Sequence, residues 1–145
     1  MHAMIVELAR SMHAESKVSS TIQDIVSAMS GTDPAMHALL AEQKNKPVGL
    51  AVFFLTFSTW RGSRGVYLQD IYVAEEARGT GLGKRLLAAV IGWATDRGAD
   101  HLRLSVDRDN ADARAFYENI GLSYRDDEMI FDVAGESFRK LGGKR

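Results

Sequence analysis

Gly79, Gly81 and Gly83 stand at every second position just ahead of a leucine-rich run, although glycine costs a forming helix about 0.5–1 kcal/mol relative to alanine. Bare backbone at a helix mouth has a chemistry of its own. Unpaired N–H groups gather there at the positive end of the helix dipole, with no side chain to block approach, and together they make an anion site. Lys84 and Arg85 add positive charge. Counting excludes two familiar phosphate motifs. A P-loop needs a glycine five places before the Gly-Lys pair and Ser or Thr after it, where this chain has Arg78 and Arg85; a dinucleotide fingerprint needs a glycine where it has Lys84 or Leu86. Two readings of the loop remain, a tight strand-to-helix turn with no ligand and a phosphate cradle of another kind.

Other chemistries are narrowed by what the chain lacks. There is no cysteine, so thiolate nucleophiles, disulfides and Cys-based metal sites are out. His2, His13, His37 and His101 lie far apart without ligand-like spacing, and no metal site is expected. A formal net charge of -1 gives no bulk attraction to nucleic acid or to an anionic membrane, and the basic close FRKLGGKR reads as a solvated terminus. The longest apolar run, Val48 to Leu55, is far short of the roughly 20 residues of a spanning helix. With no signal peptide at its start, the protein is expected in the cytoplasm. At 145 residues and 46% hydrophobic, 1–145 is expected to be a single domain.

These residues need elements to position them. Ile5, Leu8, Ala9 and Met12, then Ile22, Ile25, Val26 and Met29, follow helical spacing, with Ser20 and Gln23 as a capping box for the second helix and Gly31 at its end. HALLAEQ predicts a strand and KNKP a turn; Val48 to Phe57 predicts a strand covered on both faces. Trp60 to Gly65 is a loop and Val66 to Val73 a third strand. Leu82, Leu86, Leu87, Val90, Ile91 and Ala94 mark one face of a long helix that Gly98 ends. His101 to Val106 alternates as a strand, Ala111 to Gly121 is a shorter helix, and Leu122 to Arg125 and Met129 to Val133 predict two closing strands. Helices set between strands require a parallel crossover, so the fold class is α/β with a mixed sheet flanked by helices.

Arg78, Gly81 and Gly83 match the signature Gln or Arg, two residues, Gly, one residue, Gly or Ala. The strand LQDIYV precedes it, and NADARAFYENIGL follows with Asn110, Phe116, Tyr117 and Gly121 in place. In these two motifs the chain resembles the GNAT superfamily of N-acetyltransferases, from about Ile5 to Val133. FFLTFSTWRGSRGVYLQDIYV is most similar to its diamine and thialysine acetyltransferase branch. The resemblance implies a sheet that splays after Val73, with the pantetheine arm of acetyl-CoA in the gap against Ile71, Tyr72 and Val73. Its pyrophosphate would lie on Arg78, Gly79, Thr80, Gly81, Leu82, Gly83 and Lys84, with Asn110 and Tyr117 completing the cofactor site. It also implies a homodimer, a small-molecule amine as acceptor, and a strand before the first helix, which here has only MHA ahead of it. An open strand edge is therefore expected in the N-terminal half.

Acetyl transfer to an amine needs a deprotonated amine, a donor for the carbonyl oxygen and a proton for the departing thiolate. By resemblance Tyr117 donates that proton and a backbone N–H near Val73 polarises the carbonyl. At Gln69 the branch has a glutamate able to act as base, and an amide cannot replace it. Asp70 is the neighbouring acid, yet strand alternation points the two side chains to opposite faces unless the strand bulges; the base is left open between Asp70 and a water chain. Gln69, Asp70 and Trp60 are the candidate acceptor-binding residues, and Arg61 and Arg64 beside Trp60 suggest an acceptor that also carries a carboxylate. An acetyl-cysteine intermediate is impossible, so transfer would be direct. The alternatives are a CoA-binding regulatory module and a protein or peptide acetyltransferase.

Overall fold

The computed structural model describes residues 1–11 and 13–143; Met12 of the first helical pattern and Lys144 and Arg145 of the basic tail lie outside them. The chain divides into two compact units, Met1–Asn110 and Ala111–Arg145.

The first unit opens with α1 (His2–Ser11) and α2 (Ile22–Met29), separated by a short 3₁₀ turn at Glu15–Lys17. The capping box of α2 falls one residue later than the sequence suggests. Thr21 accepts the Asp24 N–H through its hydroxyl, and Asp24 accepts the Thr21 N–H at 2.7 Å. A carboxylate accepts more strongly there than the Gln23 amide would, and these bonds hold Asp24 below the usual carboxylate range.

Strands β1 (His37–Gln43), β2 (Lys46–Ser58) and β3 (Ser63–Val73) form an antiparallel meander; α3 (Leu82–Thr95) then crosses back so that β4 (Ala99–Leu104) lies parallel to β3. The order β1-β2-β3-β4 gives a mixed sheet flanked by helices, as expected. β1 is an edge strand, in the half of the chain where an open edge was expected, and no strand precedes it among the described residues.

Alternation along β2 decides what each face covers. Leu50 and Val52 pack with Met36 and receive Met4 and Ile5 of α1 and Ile25 of α2. On the opposite face Phe53, which has no exposed surface, meets Trp93 of α3 at 5.0 Å between ring centres. Gly49 lies on that face so close to α3 that a Cβ there would come within 2.9 Å of Leu86 Cδ1. Leu86, Leu87, Val90 and Ala94 are the buried residues of α3, while Ile91, expected on the same stripe, is exposed.

The second unit contains α4 (Ala111–Asn119) and α5 (Gly135–Leu141). The two closing strands do not form. Residues 122–133 carry no ladder, because β propensity becomes a strand only where a partner accepts its hydrogen bonds. Arg125 pairs instead with Asp127, at 2.6 Å, and Met129, Ile130 and Phe131 are more than 80% exposed.

Candidate active site

The pairing of β3 stops before the strand does. Its parallel partners in β4 run from Arg64 to Leu68, whereas its antiparallel partners in β2 continue to Val73. Gln69 to Val73 therefore have a ladder on one side only. The Ala74 N–H donates to Val48 C=O at 2.8 Å. In an antiparallel ladder that bond brackets the pair Gly49 and Val73 and makes it the non-hydrogen-bonded kind, so the Val73 N–H and C=O point away from β2. By alternation those of Ile71 do the same, and those of Tyr72 bond to β2.

Within this stretch the register slips. Phe53 faces Leu68 and Val52 faces Asp70, leaving Gln69 as the extra residue of a β-bulge. The bulge resets the alternation. Asp70 joins Val52 and Tyr72 on the face covered by α1 and α2, and Gln69 is exposed beside it. Partial burial raises the Asp70 pKa above the ordinary aspartate value.

Beyond Val73 the chain makes a 3₁₀ turn at Glu75–Ala77 and enters α3 through the glycines. Gly81 is the N-cap at φ 78°, and Gly79 has φ 74°, both in the left-handed region that glycine enters without strain. A Cβ at either position would meet nothing within 4 Å, so the space over the loop is open. The first intrahelical bond runs from the Arg85 N–H to Gly81 C=O, which leaves the N–H groups of Leu82, Gly83 and Lys84 without an acceptor in the helix. No side chain caps this end, and the first turn has no acid but carries Lys84 and Arg85. A helix start with cations where acids normally sit suits a bound anion, and a pyrophosphate fits this donor set. Thr80 donates its hydroxyl to Ala77 C=O at 2.6 Å and so fixes the turn. The sequence did not disclose the part taken by Arg78: its Nε donates to Val73 C=O at 3.0 Å, with the guanidinium 6.0 Å from the Tyr72 ring centre.

Ile71 to Val73 and Arg78 to Lys84 are thus brought together as consecutive parts of one strand-turn-helix unit. Asn110 follows β4 and donates its N–H to Asp107 C=O at 2.9 Å. Trp60 is elsewhere. It is 99% exposed at the tip of the β2–β3 hairpin, and the strand from Ser63 to Gln69 alone spans about 20 Å at roughly 3.3 Å per residue. Arg61 and Arg64 share that tip, too far from Asp70 to hold the carboxylate of a small amino acid whose amine is there. Tyr117 belongs to α4 of the second unit, its ring edge-on to Phe116 at 5.2 Å, and burial pushes its phenol up to about 12. Ser63, Asp100 and His101 do not form a nucleophilic relay: the Ser63 hydroxyl donates to Asp100 at 2.7 Å, and the His101 ring touches the same carboxylate oxygen.

Residues 3–122 match the model of the acetyltransferase (GNAT) family. The chain belongs to that family. This GNAT chain is 33% identical to a thialysine N-epsilon-acetyltransferase of Bos taurus over 155 residues, covering 97% of this chain and 91% of the relative. It is 28% identical to an L-ornithine N5-acetyltransferase of Arabidopsis thaliana, over 75% of this chain and 49% of that one. Among solved structures, an integron cassette protein of V. cholerae superposes with a TM-score of 0.78 at 23% identity, covering 94% of this chain and 86% of its own; this likeness concerns the fold. The GNAT chain is an N-acetyltransferase, and its resemblance to the thialysine branch holds. Among the described residues no helix is long and apolar enough to cross a membrane.

Proposed function

We propose that the protein transfers an acetyl group from acetyl-CoA directly to the primary amine of a small molecule, polyamine-like or amino-acid-like, and that it works as a homodimer. The observation that carries this reading is the open side of β3 from Gln69 to Val73 running straight into an uncapped, cationic helix mouth. Acetyl-CoA supplies an activated thioester. The outward amide groups of Ile71 suit the amides of its pantetheine arm, and the N–H groups of residues 79–84 suit its pyrophosphate. The Val73 N–H is the candidate donor to the thioester oxygen as it gains charge.

The bulge supports Asp70 as the group that receives the amine proton. Holding an alkylamine of pKa near 10 neutral at pH 7 costs about 4 kcal/mol, and a carboxylate whose own pKa is raised takes up that proton more readily than an ordinary one. Gln69, exposed beside it, can orient the acceptor by hydrogen bonds but cannot take its proton. Tyr117 is assigned the opposite step. With its pKa near 12 the phenol stays protonated throughout the physiological range and can give its proton to the departing thiolate. One proton leaves the amine and one reaches the thiolate, so no net proton is needed from the protein.

Acetyl-CoA-dependent thiol release, read with a thiol-reactive dye over a panel of polyamines, aminoalkyl acids, thialysine and short peptides, tests this reading. The cysteine-free protein adds no thiol background. Release with the small amines is expected. Release with peptides alone would overturn the acceptor class, and no release above the hydrolysis blank would overturn the catalytic reading in favour of a CoA-binding module.

A further inference from the structure

The ladder between β3 and β4 ends at the pair Leu68 and Leu104, and beyond it a side-chain bond still joins the two strands. The hydroxyls of Tyr67 and Ser105 lie 2.9 Å apart, one donating to the other. Tyr67 pairs with Arg103 and Leu68 with Leu104, so Ser105 stands one step past the last rung, on the face of Tyr67 and level with the Gln69 bulge. The Tyr67 ring is stacked with Phe54 at 6.5 Å between centres, and Phe54 packs on the cluster of Leu50 and Val52. The core thus holds the phenol, and the phenol holds the serine.

The same face carries Asp70. Across β2, Tyr67 faces Phe54 and Asp70 faces Val52, residues two apart and so about 7 Å from each other along the strand. Ser105 and Asp70 therefore flank the place where the sheet begins to open, one on each side of the gap between β3 and β4. Ser105 is exposed and Asp70 only half-buried, so a solute can reach both. Adjacent strands lie about 4.8 Å apart at a rung, close to the roughly 4.7 Å between two acceptors bonded at about 2.9 Å to one tetrahedral nitrogen.

We infer that Ser105, aimed by Tyr67, accepts an N–H bond of the incoming amine opposite Asp70, and that this arrangement makes the enzyme select primary over secondary amines. The inference rests on the acetyl-transfer reading above and deepens it. A neutral primary amine has two N–H bonds and one lone pair. Asp70, once it has taken the third proton of the ammonium, still accepts through its other oxygen, and Ser105 keeps a lone pair on Oγ whichever hydroxyl donates in its bond with Tyr67. The nitrogen lone pair is then free to meet the thioester carbon. A secondary amine has a single N–H and leaves one acceptor unmatched, a loss that a site built on hydrogen bonds penalises heavily.

Thiol release by the full chain tests it with two matched pairs of acceptors, putrescine against its N,N′-dimethyl form and γ-aminobutyrate against its N-methyl form. For the pair that the wild type accepts, kcat/KM is expected to be at least about tenfold higher for the primary amine. Ser105→Ala should cut that ratio about tenfold, and Ser105→Thr, which keeps a hydroxyl, should restore it. Tyr67→Phe should cut it less, and the double variant should do no more than Ser105→Ala alone, since the phenol acts only through the serine. The acetyl-CoA dissociation constant, by calorimetry, should be unaltered in every variant. A ratio that Ser105→Ala leaves unchanged would overturn this inference alone. So would a raised acetyl-CoA constant in Tyr67→Phe with the ratio intact, which would make the hydroxyl pair a clasp between the strands. A wild type that releases thiol with neither primary amine, nor with any other small amine, would overturn the acetyl-transfer reading and this inference with it.

Discussion

A half-buried carboxylate works against the fold that contains it, and Asp70 is one. Its folded pKa lies above the unfolded value of about 3.9, so the folded state binds the proton more tightly. The penalty is absent below the unfolded pKa, grows as pH rises through the folded one and is complete above it. Asp70→Asn should therefore raise the melting temperature at pH 7 and leave it unchanged at pH 3, while lowering amine turnover roughly 10²-fold at neutral pH. Unchanged turnover would remove Asp70 from the chemistry. Tyr117→Phe should lower kcat by a similar factor with the acetyl-CoA dissociation constant unaltered. Because the wild-type phenol loses its proton only near pH 12, the rate of the native enzyme should show no alkaline fall up to pH 10. A fall centred near pH 9 would point to another acid. The sequence made Tyr117 visible through its motif. It did not reveal that Asp70 shares a face with Val52, since a bulge at a glutamine carries no signature in residue type.

At the scale of elements, the strand-turn-helix unit was legible because its needs are stereochemical. Glycines placed where φ is positive, followed by a leucine stripe, leave few alternatives, and β1 begins and ends where the sequence places it. The closing strands were not legible, because the run from Met129 to Val133 has strand-forming residues but a strand needs a neighbour. The same logic makes Gly81 testable. A branched side chain at φ 78° should cost about 1–2 kcal/mol in backbone strain. It would also fill the space in front of the α3 N–H groups. Gly81→Val should thus lower the urea midpoint modestly and raise the acetyl-CoA dissociation constant at least tenfold by calorimetry. Normal affinity would mean that the phosphates bind elsewhere.

For the molecule as a whole, the family was readable because two motifs fall at the right separation along one chain, and 120 residues of fold lie between the matched ends. Net charge said little: a total of -1 is silent on the cations gathered at the mouth of α3, where Lys84 and Arg85 stand in a first turn without an acid. Gln69 has a last consequence, for the length of the chain itself. Leu68 and Asp70 already face consecutive residues of β2, so the residue between them is surplus to the ladder. A protein lacking Gln69 should fold with every remaining side chain on its native face, a tolerance that deletion of any other single residue inside β3 would not enjoy. Its melting temperature should stay within a few degrees of wild type, and a collapse of the fold would show that the strand needs its kink. Numbering by motif spacing therefore slips by one across this site, and relatives one residue shorter here should be compared by the face their side chains occupy.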